Sequence, residues 1–263
     1  MKVFARALSD RRVALVWWSI GILAYCGIII AFWPVIDGND EFAELYADMP
    51  ESFQAMFGAD GFTEFTTPPG FLSTYLYSMI LPFILTGLAV SMGASLLAGE
   101  EEDGLLDLVL SYPVRRRRLV AEKMLSIVVA VGMIGVAVVA LLAVAREPVD
   151  LDIGVSGLAA ATLGSVLFAL GYGLLALGAG AWRGVKGFAT GTAWGVALGG
   201  YLLNVVANLD DSLEGVKYAS PLYWATAGEP LQGNLPVEYL VLVGLAGVLA
   251  VGTIAVFERH DLS

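Results

Sequence analysis

The densest group of side chains able to do chemistry lies in a single stretch, Gly99 to Lys123, the longest strongly charged interruption of an otherwise apolar sequence. Four acidic residues, Glu100 to Asp103, come first, followed by a leucine-rich segment, Pro113 and the arginine run Arg115 to Arg118. Such groups can form ion pairs with a protein or with lipid headgroups. Catalysis fits less well, because the only histidine, His260, lies in the tail and cannot complete a Ser/His/Asp triad or a metal site within an apolar run.

The apolar runs around this stretch carry no catalytic or energy-converting groups. No Asp, Glu, Lys, Arg or His lies in the middle of any of them, whereas proton-coupled transporters and ion pumps usually need such groups there. The sequence has no glycine-rich phosphate loop ending in Gly-Lys-Ser or Gly-Lys-Thr, and its acidic residues lack EF-hand spacing. We therefore expect no enzyme activity, no ATP hydrolysis, no cofactor and no metal on this chain.

The composition is that of a membrane protein. Hydrophobic residues make up 58% of the chain and charged residues 15%, and the mean hydropathy of +0.77 is well outside the range of soluble domains. We expect one transmembrane domain over residues 1–263, with lipid and proteins as partners and no nucleic acid. Cys26 is the only cysteine, so no disulfide is predicted.

Six uncharged runs are long enough to cross about 30 Å of hydrocarbon as helices, at about 1.5 Å per residue. The predicted spans are residues 13–36, 71–98, 125–145, 153–181, 187–209 and 239–257. The first follows a basic segment, as in a secretory signal peptide, but its 24 uncharged residues and the lack of a cleavage site favour a retained span. The predicted fold class is an all-α polytopic membrane protein, with an N-terminal interfacial helix at residues 1–12.

Basic residues fall almost entirely on one side of such a six-span chain. Twelve of the fourteen share that side: Lys2, Arg6, Arg11, Arg12, Arg115, Arg116, Arg117, Arg118, Lys123, Arg183, Lys186 and Arg259. By the positive-inside rule this side is cytoplasmic, together with both termini, and the cell membrane is the expected location. The outer loops are acidic, which is typical of a solvated face.

Two of the outer loops are predicted to be structured. In residues 37–70, apolar residues at helical spacing predict two short amphipathic helices at the outer surface. The third outer loop, residues 210–238, contains aromatic residues together with Pro221 and Pro230. This composition predicts a helical hairpin at headgroup depth before the sixth span.

Glycines at intervals of four predict close helix packing in the fifth span. They are Gly187, Gly191, Gly195 and Gly199. A helix face without side chains lets a neighbouring backbone approach closely. A gating role for the glycines of the fourth and fifth spans is an alternative, but packing is the simpler explanation.

Within the charged stretch, Leu105 to Leu110 contains five apolar residues in six, preceded by carboxylates that favour a helix N-terminus through the helix dipole. Pro113 ends this helix. Its leucines must be covered by lipid, by the bundle itself or by a partner protein. The polar side of the helix is acidic instead of basic, which disfavours lipid and favours a groove in a protein. The acidic residues are Glu101, Glu102, Asp103 and Asp107.

This stretch resembles the cytoplasmic loop of type-2 ABC exporter permeases. The shared pattern is acidic residues, a glycine, a Leu-acidic-Leu helix, Ser-x-Pro-Val, an arginine and a lysine ten residues after the proline. The matching residues are Gly104, Leu106, Asp107, Leu110, Ser111, Pro113, Val114, Arg116 and Lys123. Six spans and an outer hairpin before the last extend the likeness to the whole chain. The sequence departs from the pattern at Leu105, where threonine often follows the glycine, and in its arginine run, which leaves open which arginine is the matching one.

The resemblance implies a coupling helix, Asp103 to Ser111, within a coupling loop of residues 99–123 that binds a cleft of a separate ATP-binding subunit. ATP and Mg²⁺ would bind to that partner. A second permease chain, identical or related, would complete the complex, and movement of the two coupling helices would open a path at the first, second and fifth spans. The implied coupling residues are Glu101, Glu102, Asp103, Gly104, Leu105, Leu106, Asp107, Leu110, Pro113, Arg116 and Lys123.

The implied function is export of amphipathic or apolar cargo, such as a drug, a lipid or a peptide. The arginine run would anchor the third span at the inner headgroups. Glu100 to Asp103 could pair with the partner or simply start the helix, and the sequence leaves both open. An ATP-independent secondary transporter or a membrane assembly scaffold is the alternative function, whereas a membrane-embedded enzyme is disfavoured by the lack of catalytic groups in the spans.

Overall fold

The computed structural model describes residues 2–36, 50, 67–106, 115–209 and 211–259, which form helices and turns without a strand. Within them, six helical stretches are long and apolar enough to cross a membrane. Span 1 is Arg12–Ile36, span 2 is Pro68–Glu102, span 3 is Arg116–Ala145, span 4 is Val155–Arg183, span 5 is Lys186–Leu209 and span 6 is Tyr239–Arg259. The predicted all-α fold with six spans is confirmed.

Both ends of the described chain lie where span 2 ends and span 3 begins, which we call the loop end of the bundle. The N-terminal helix, Lys2–Ser9, packs against span 3, and the backbone N–H of Phe4 donates to Oε2 of Glu122 at 3.2 Å. Near the other terminus, Nη2 of Arg117 donates to Oε2 of Glu258 at 3.0 Å. The N-terminal helix and the end of span 6 therefore share one side, as the charge distribution predicts. Contact of the N-terminal helix with a membrane surface stays a prediction.

Span 2 is not one regular α-helix. It starts with an N-cap, in which Oγ1 of Thr67 accepts a hydrogen bond from the Gly70 N–H at 3.3 Å. Two π-helical turns follow, at Ser73–Tyr77 and at Ser95–Gly99. Each changes the backbone hydrogen bonds from i→i−4 to i→i−5, so the residues beyond it face directions that a continuous α-helix would not give them.

Span 4 lies at the centre of the bundle and packs most extensively against span 2. In each of these two spans 72% of the most apolar window is buried, against 17% in spans 1 and 6. A Cβ at Gly93 of span 2 would overlap the backbone carbonyl of Gly173 in span 4. A Cβ at Gly173 would lie 2.9 Å from the Cβ of Ala89. Glycine therefore sets the distance between the two central helices.

The opposite end of the bundle, called here the hairpin end, carries the segment between spans 5 and 6. This segment consists of a 3₁₀ helix at Asp211–Ala219, a short α-helix at Pro221–Thr226 and a 3₁₀ turn at Pro230–Gln232. It is thus less regular than the predicted helical hairpin. It packs against span 4, and just beyond it the hydroxyl of Tyr239 donates to the Ala160 carbonyl at 2.9 Å.

The helix of span 3 extends beyond the predicted apolar run. It begins at Arg116 and not at residue 125, because charged residues continue the backbone hydrogen bonds of a helix beyond the apolar part. The two amphipathic helices predicted in residues 37–70 fall almost entirely outside the described residues.

Candidate functional site

The residues predicted to couple the chain to a partner lie on both sides of a segment that is not described. Glu101, Glu102, Asp103, Gly104, Leu105 and Leu106 precede it, and Arg116 and Lys123 follow it. Asp107, Leu110 and Pro113 lie outside the described residues. The described part of the site consists of two stems, which are the end of span 2 and the start of span 3. These stems form the two ends of the coupling loop.

Lys123 joins these two stems. Its side chain is 1% exposed, and Nζ donates to Oε2 of Glu100 at 2.6 Å and to the carbonyl of Leu96. Leu96 belongs to the second π-helical turn of span 2. We call these three residues the Lys123 clasp. Because a buried ammonium group without partners is costly, the clasp fixes the start of span 3 against the end of span 2.

Arg11, in the turn before span 1, lies close enough to interact with the same carboxylate. Burial lowers the pKa of the Arg11 guanidinium, and the negative charge of Glu100 opposes that shift. Glu100 therefore balances two cations, one from span 3 and one from the segment that precedes span 1.

The next two carboxylates contact the turn between spans 4 and 5. The backbone N–H of Lys186 donates to Oε1 of Glu102 at 2.9 Å, so Glu102 caps the first turn of span 5. The carboxylate of Glu101 lies against Gly184, where a Cβ would come within 2.6 Å of it. Gly184 also has a φ of +64°, so both the space and the backbone conformation require glycine there. Glu101 and Glu102 thus contact the bundle itself, and a contact with a partner stays a prediction.

The predicted coupling helix does not begin at Asp103. Asp103 and Gly104 form a turn, and Gly104 has a φ of +66°, a left-handed conformation that glycine adopts without strain. This turn ends the helix of span 2, and Leu105 is helical again. The coupling helix therefore begins no earlier than Leu105, and its predicted end at Ser111 lies outside the described residues.

The two leucines after this turn differ in exposure. Leu106 is 1% exposed and belongs to the core of the bundle, whereas Leu105 is 43% exposed. The expectation that Leu106 enters a groove of the partner is therefore corrected, because the bundle itself covers this side chain. Leu105 keeps an apolar surface that a partner can cover.

The arginine run ties the start of span 3 to the end of span 6. Arg116 lies over the ring of Phe257, with 6.0 Å between Cζ and the ring centroid, and its Nη1 donates to the Phe257 carbonyl at 3.5 Å. Arg117 pairs with Glu258, and Arg118 pairs at 3.0 Å with a carboxylate one turn along span 3. Three of the four arginines thus contact the protein itself. Their anchoring at lipid headgroups stays a prediction.

The glycine face of span 5 is not covered by the rest of the described chain. A Cβ placed at Gly187, Gly191, Gly195 or Gly199 would meet no atom within 4 Å. No neighbouring helix among the described residues makes the predicted close contact. Packing of this face against a second chain stays a prediction.

Two acidic residues of the site are not distinguished by the sequence pattern. Glu100 is one of four successive carboxylates, and only its position after the π-helical turn singles it out as the partner of Lys123. Glu122 is one residue in a charged helix start, and the structure shows it holding the N-terminal helix. The available sequence signal for the clasp is a lysine near the start of one span and a glutamate at the end of the preceding span.

The arrangement is suited to holding helices in position and not to bond making. Among the described residues, no group of three or more His, Cys, Asp or Glu side chains could hold a metal ion. The clasp, the cap on span 5 and the arginine contacts link spans 2, 3, 5 and 6 at the loop end.

Comparison with known proteins identifies the family. A family model described as ABC-2 family transporter protein matches residues 1–262. No curated protein matches the chain. The match runs from the N-terminal helix through span 6, so it confirms the resemblance of the chain to ABC permeases. The chain belongs to the ABC-2 family of transporter proteins and is a membrane-spanning ABC transporter permease.

Proposed function

We propose that this permease is the membrane subunit of an ATP-driven exporter, energised by a separate ATP-binding subunit that docks on the coupling loop. The observation that carries the proposal is the construction of the loop stems, in which the exposed Leu105 follows directly on residues fixed to several spans. A partner that covers Leu105 would therefore bind only a few residues away from the contacts that Glu100 and Glu102 make with spans 3 and 5. ATP and Mg²⁺ would bind to the partner and not to this chain.

The contacts of the loop stems support a route for the movement. A shift of the loop acts on span 3 through Lys123 and Glu100, which lie 2.6 Å apart. The same shift acts on span 5 through the hydrogen bond between Glu102 and the Lys186 N–H. In this route ATP binding by the partner moves the start of span 5 relative to the central spans 2 and 4, and cargo leaves along spans 1, 2 and 5.

A second permease chain, identical or related, completes the proposed complex. Only 17% of the most apolar window of span 1 and 22% of that of span 5 are buried within this chain. The open glycine face of span 5, with Gly191 and Gly195 at its middle, would allow close approach of another helix. The complex would thus contain two permeases and two ATP-binding subunits.

The proposed cargo is amphipathic or apolar, such as a drug, a lipid or a peptide. The support for this class is the scarcity of charged side chains in the spans, which suits a molecule that needs no buried counter-ion. The proposed location is the cell membrane with the loop end in the cytoplasm, since the basic residues gather at that end.

The docking of the ATP-binding subunit is tested by two leucine variants of matched chemistry. Leu105→Asp places a charge on the exposed apolar surface beside the coupling loop, and we expect affinity for the ATP-binding subunit to fall at least about 30-fold, which corresponds to about 2 kcal/mol. Leu235→Asp is the control, because Leu235 is 69% exposed at the hairpin end. The measurement is co-purification of the two subunits followed by titration in detergent.

The control variant should bind the ATP-binding subunit like the unmodified permease. Equal binding by the Leu105→Asp variant would contradict docking at this surface. Transport by the permease alone, without ATP, would support a secondary transporter instead.

A further inference from the structure

A cavity of about 200 Å³ lies between spans 4, 5 and 6, away from the loop end. Its floor is formed by Phe168 and Tyr172 of span 4 and by Leu242 of span 6, which are all at most 4% exposed. Val196 of span 5 and Leu245 of span 6 also line it and are 49% and 42% exposed. The cavity therefore opens between spans 5 and 6 toward the outside of the bundle, where a membrane protein contacts lipid.

One polar group breaks the apolar lining. The hydroxyl of Tyr172 is buried and has no hydrogen-bond partner among the described residues. The hydroxyl lies beside Gly200, because a Cβ built on Gly200 would be 3.4 Å from the hydroxyl oxygen. The same Cβ would be 3.2 Å from Cδ of Pro221, which also lines the cavity. A buried hydroxyl without a partner costs free energy, so the site is incomplete without an acceptor supplied from outside.

Water is a poor occupant of this cavity. A buried water needs two to four polar partners, and the described lining offers one hydroxyl among apolar side chains. An apolar molecule with one oxygen satisfies both parts of the site. The volume is adequate for it, since an apolar cavity of roughly 150 Å³ already holds benzene.

The position of the cavity along span 6 indicates which kind of apolar molecule occupies it. The lining runs from Leu242, one turn inside the first residue of the span, to Leu249 about two turns deeper. At about 1.5 Å per residue this is a groove of roughly 10 Å that starts near the membrane boundary and follows the helix inward. A bilayer lipid has this form, with an oxygen at the glycerol end of a hydrocarbon chain.

We propose that this cavity is a binding site for one hydrocarbon chain of a bilayer lipid, whose glycerol-linked oxygen accepts a hydrogen bond from Tyr172. The site starts near the hairpin end and reaches the middle of span 6, apart from the coupling loop, and its occupant stays bound as a part of the folded permease. It does not depend on the exporter function, because the bound lipid needs neither ATP nor a partner subunit.

The test uses a phosphatidylglycerol that carries a photoreactive diazirine in its acyl chain, incorporated into nanodiscs with the full permease chain alone. After irradiation, mass spectrometry maps the adducts. We expect adducts on spans 4 to 6 along the cavity. Gly171→Phe should reduce them to background, because Gly171 lines the cavity and a Cβ there meets no atom within 4 Å. Gly132→Phe is the matched control, since a Cβ at Gly132 of span 3 also meets no atom within 4 Å and no described residue of span 3 lines the cavity.

Tyr172→Phe tests the polar contact separately and keeps the ring. We expect adduct yield to fall about fivefold, the ratio that corresponds to a hydrogen bond of about 1 kcal/mol. Unchanged yields in both Gly171→Phe and Tyr172→Phe, or no adducts at the cavity, would overturn the proposal. If Gly171→Phe does not fold, Tyr172→Phe decides alone. A disulfide-linked dimer formed by Leu245→Cys of span 6 in a Cys26→Ser background would show that a second copy covers the cavity, which also overturns it.

Discussion

Removing the carboxylate of the Lys123 clasp should destabilise the permease more than removing any exposed carboxylate. Glu100→Gln leaves the Lys123 ammonium, 1% exposed, without a negative charge beside it, so that only neutral carbonyl oxygens, such as that of Leu96, remain to accept its hydrogen bonds. Breaking a buried ion pair by removing one partner costs about 3–5 kcal/mol. Because the Glu100 side chain is 26% exposed, water reaches that side of the pair, and we expect about 2 kcal/mol for this variant.

A second substitution separates the lost attraction between Glu100 and Lys123 from the cost of burying the Lys123 ammonium without a counter-charge. Lys123→Met removes the buried ammonium and leaves Glu100 partly accessible to water. The double variant Glu100→Gln/Lys123→Met should therefore be more stable than Glu100→Gln alone, which is the sign of a coupled pair.

The single cysteine supplies the assay. Cys26 is the only thiol of the chain and is 0% exposed, so a thiol-reactive fluorescent dye reports thermal opening of the bundle. A loss of about 2 kcal/mol corresponds to a fall in Tm of about 4–8 °C for a domain of this size. Glu147→Gln, an exposed carboxylate at the hairpin end, is the control and should not change Tm. A fall no larger for Glu100→Gln than for Glu147→Gln would refute the reasoning about the clasp.

Three further predictions follow from the packing at the loop end and between the central spans. Leu106→Asp should yield little folded protein, since it buries a carboxylate at a cost of at least about 3 kcal/mol, whereas Leu105→Asp should fold normally in size-exclusion chromatography. Gly93→Ala should lower the free energy of unfolding by about 1–3 kcal/mol, because the added Cβ overlaps the Gly173 carbonyl. Gly191→Ala should not lower it, because the space at that Cβ is open. Unfolding followed with the thiol-reactive dye compares the two variants. Glu102→Ala should cost about 1 kcal/mol through loss of the cap on span 5, seen as a fall in Tm of about 2–4 °C, and an unchanged Tm would contradict the capping role.

The six spans could be predicted from the sequence because hydrocarbon thickness and helix rise set a minimum length for each apolar run. The helix ends could not be located in the same way. Span 3 starts at Arg116 because a helix continues into charged residues at the edge of the membrane. The two π-helical turns of span 2 arise from tertiary packing and leave no recognisable pattern in the sequence.

The charged stretch could be predicted as the candidate site, but not the pairing within it. Lys123 meets Glu100 and not its acidic neighbours because the turn Ser95–Gly99 sets the direction of each residue that follows. Leu105 and Leu106 look alike in the sequence, and only the left-handed Gly104 decides which of them turns into the core.

The glycine pattern of span 5 shows the limit of reading packing from spacing alone. The spacing of Gly187 to Gly199 predicts a close contact, but it does not say with which helix. Within the described chain the close glycine contact is made by Gly93 and Gly173 of spans 2 and 4 instead.

The most direct test of the central claim is ATP hydrolysis by the permease reconstituted in vesicles with its ABC ATP-binding subunit. We predict that the permease stimulates hydrolysis, that Leu105→Asp abolishes the stimulation and that Leu235→Asp preserves it. Stimulation that is unchanged by Leu105→Asp, or cargo movement by the permease without any ATP-binding subunit, would contradict the account.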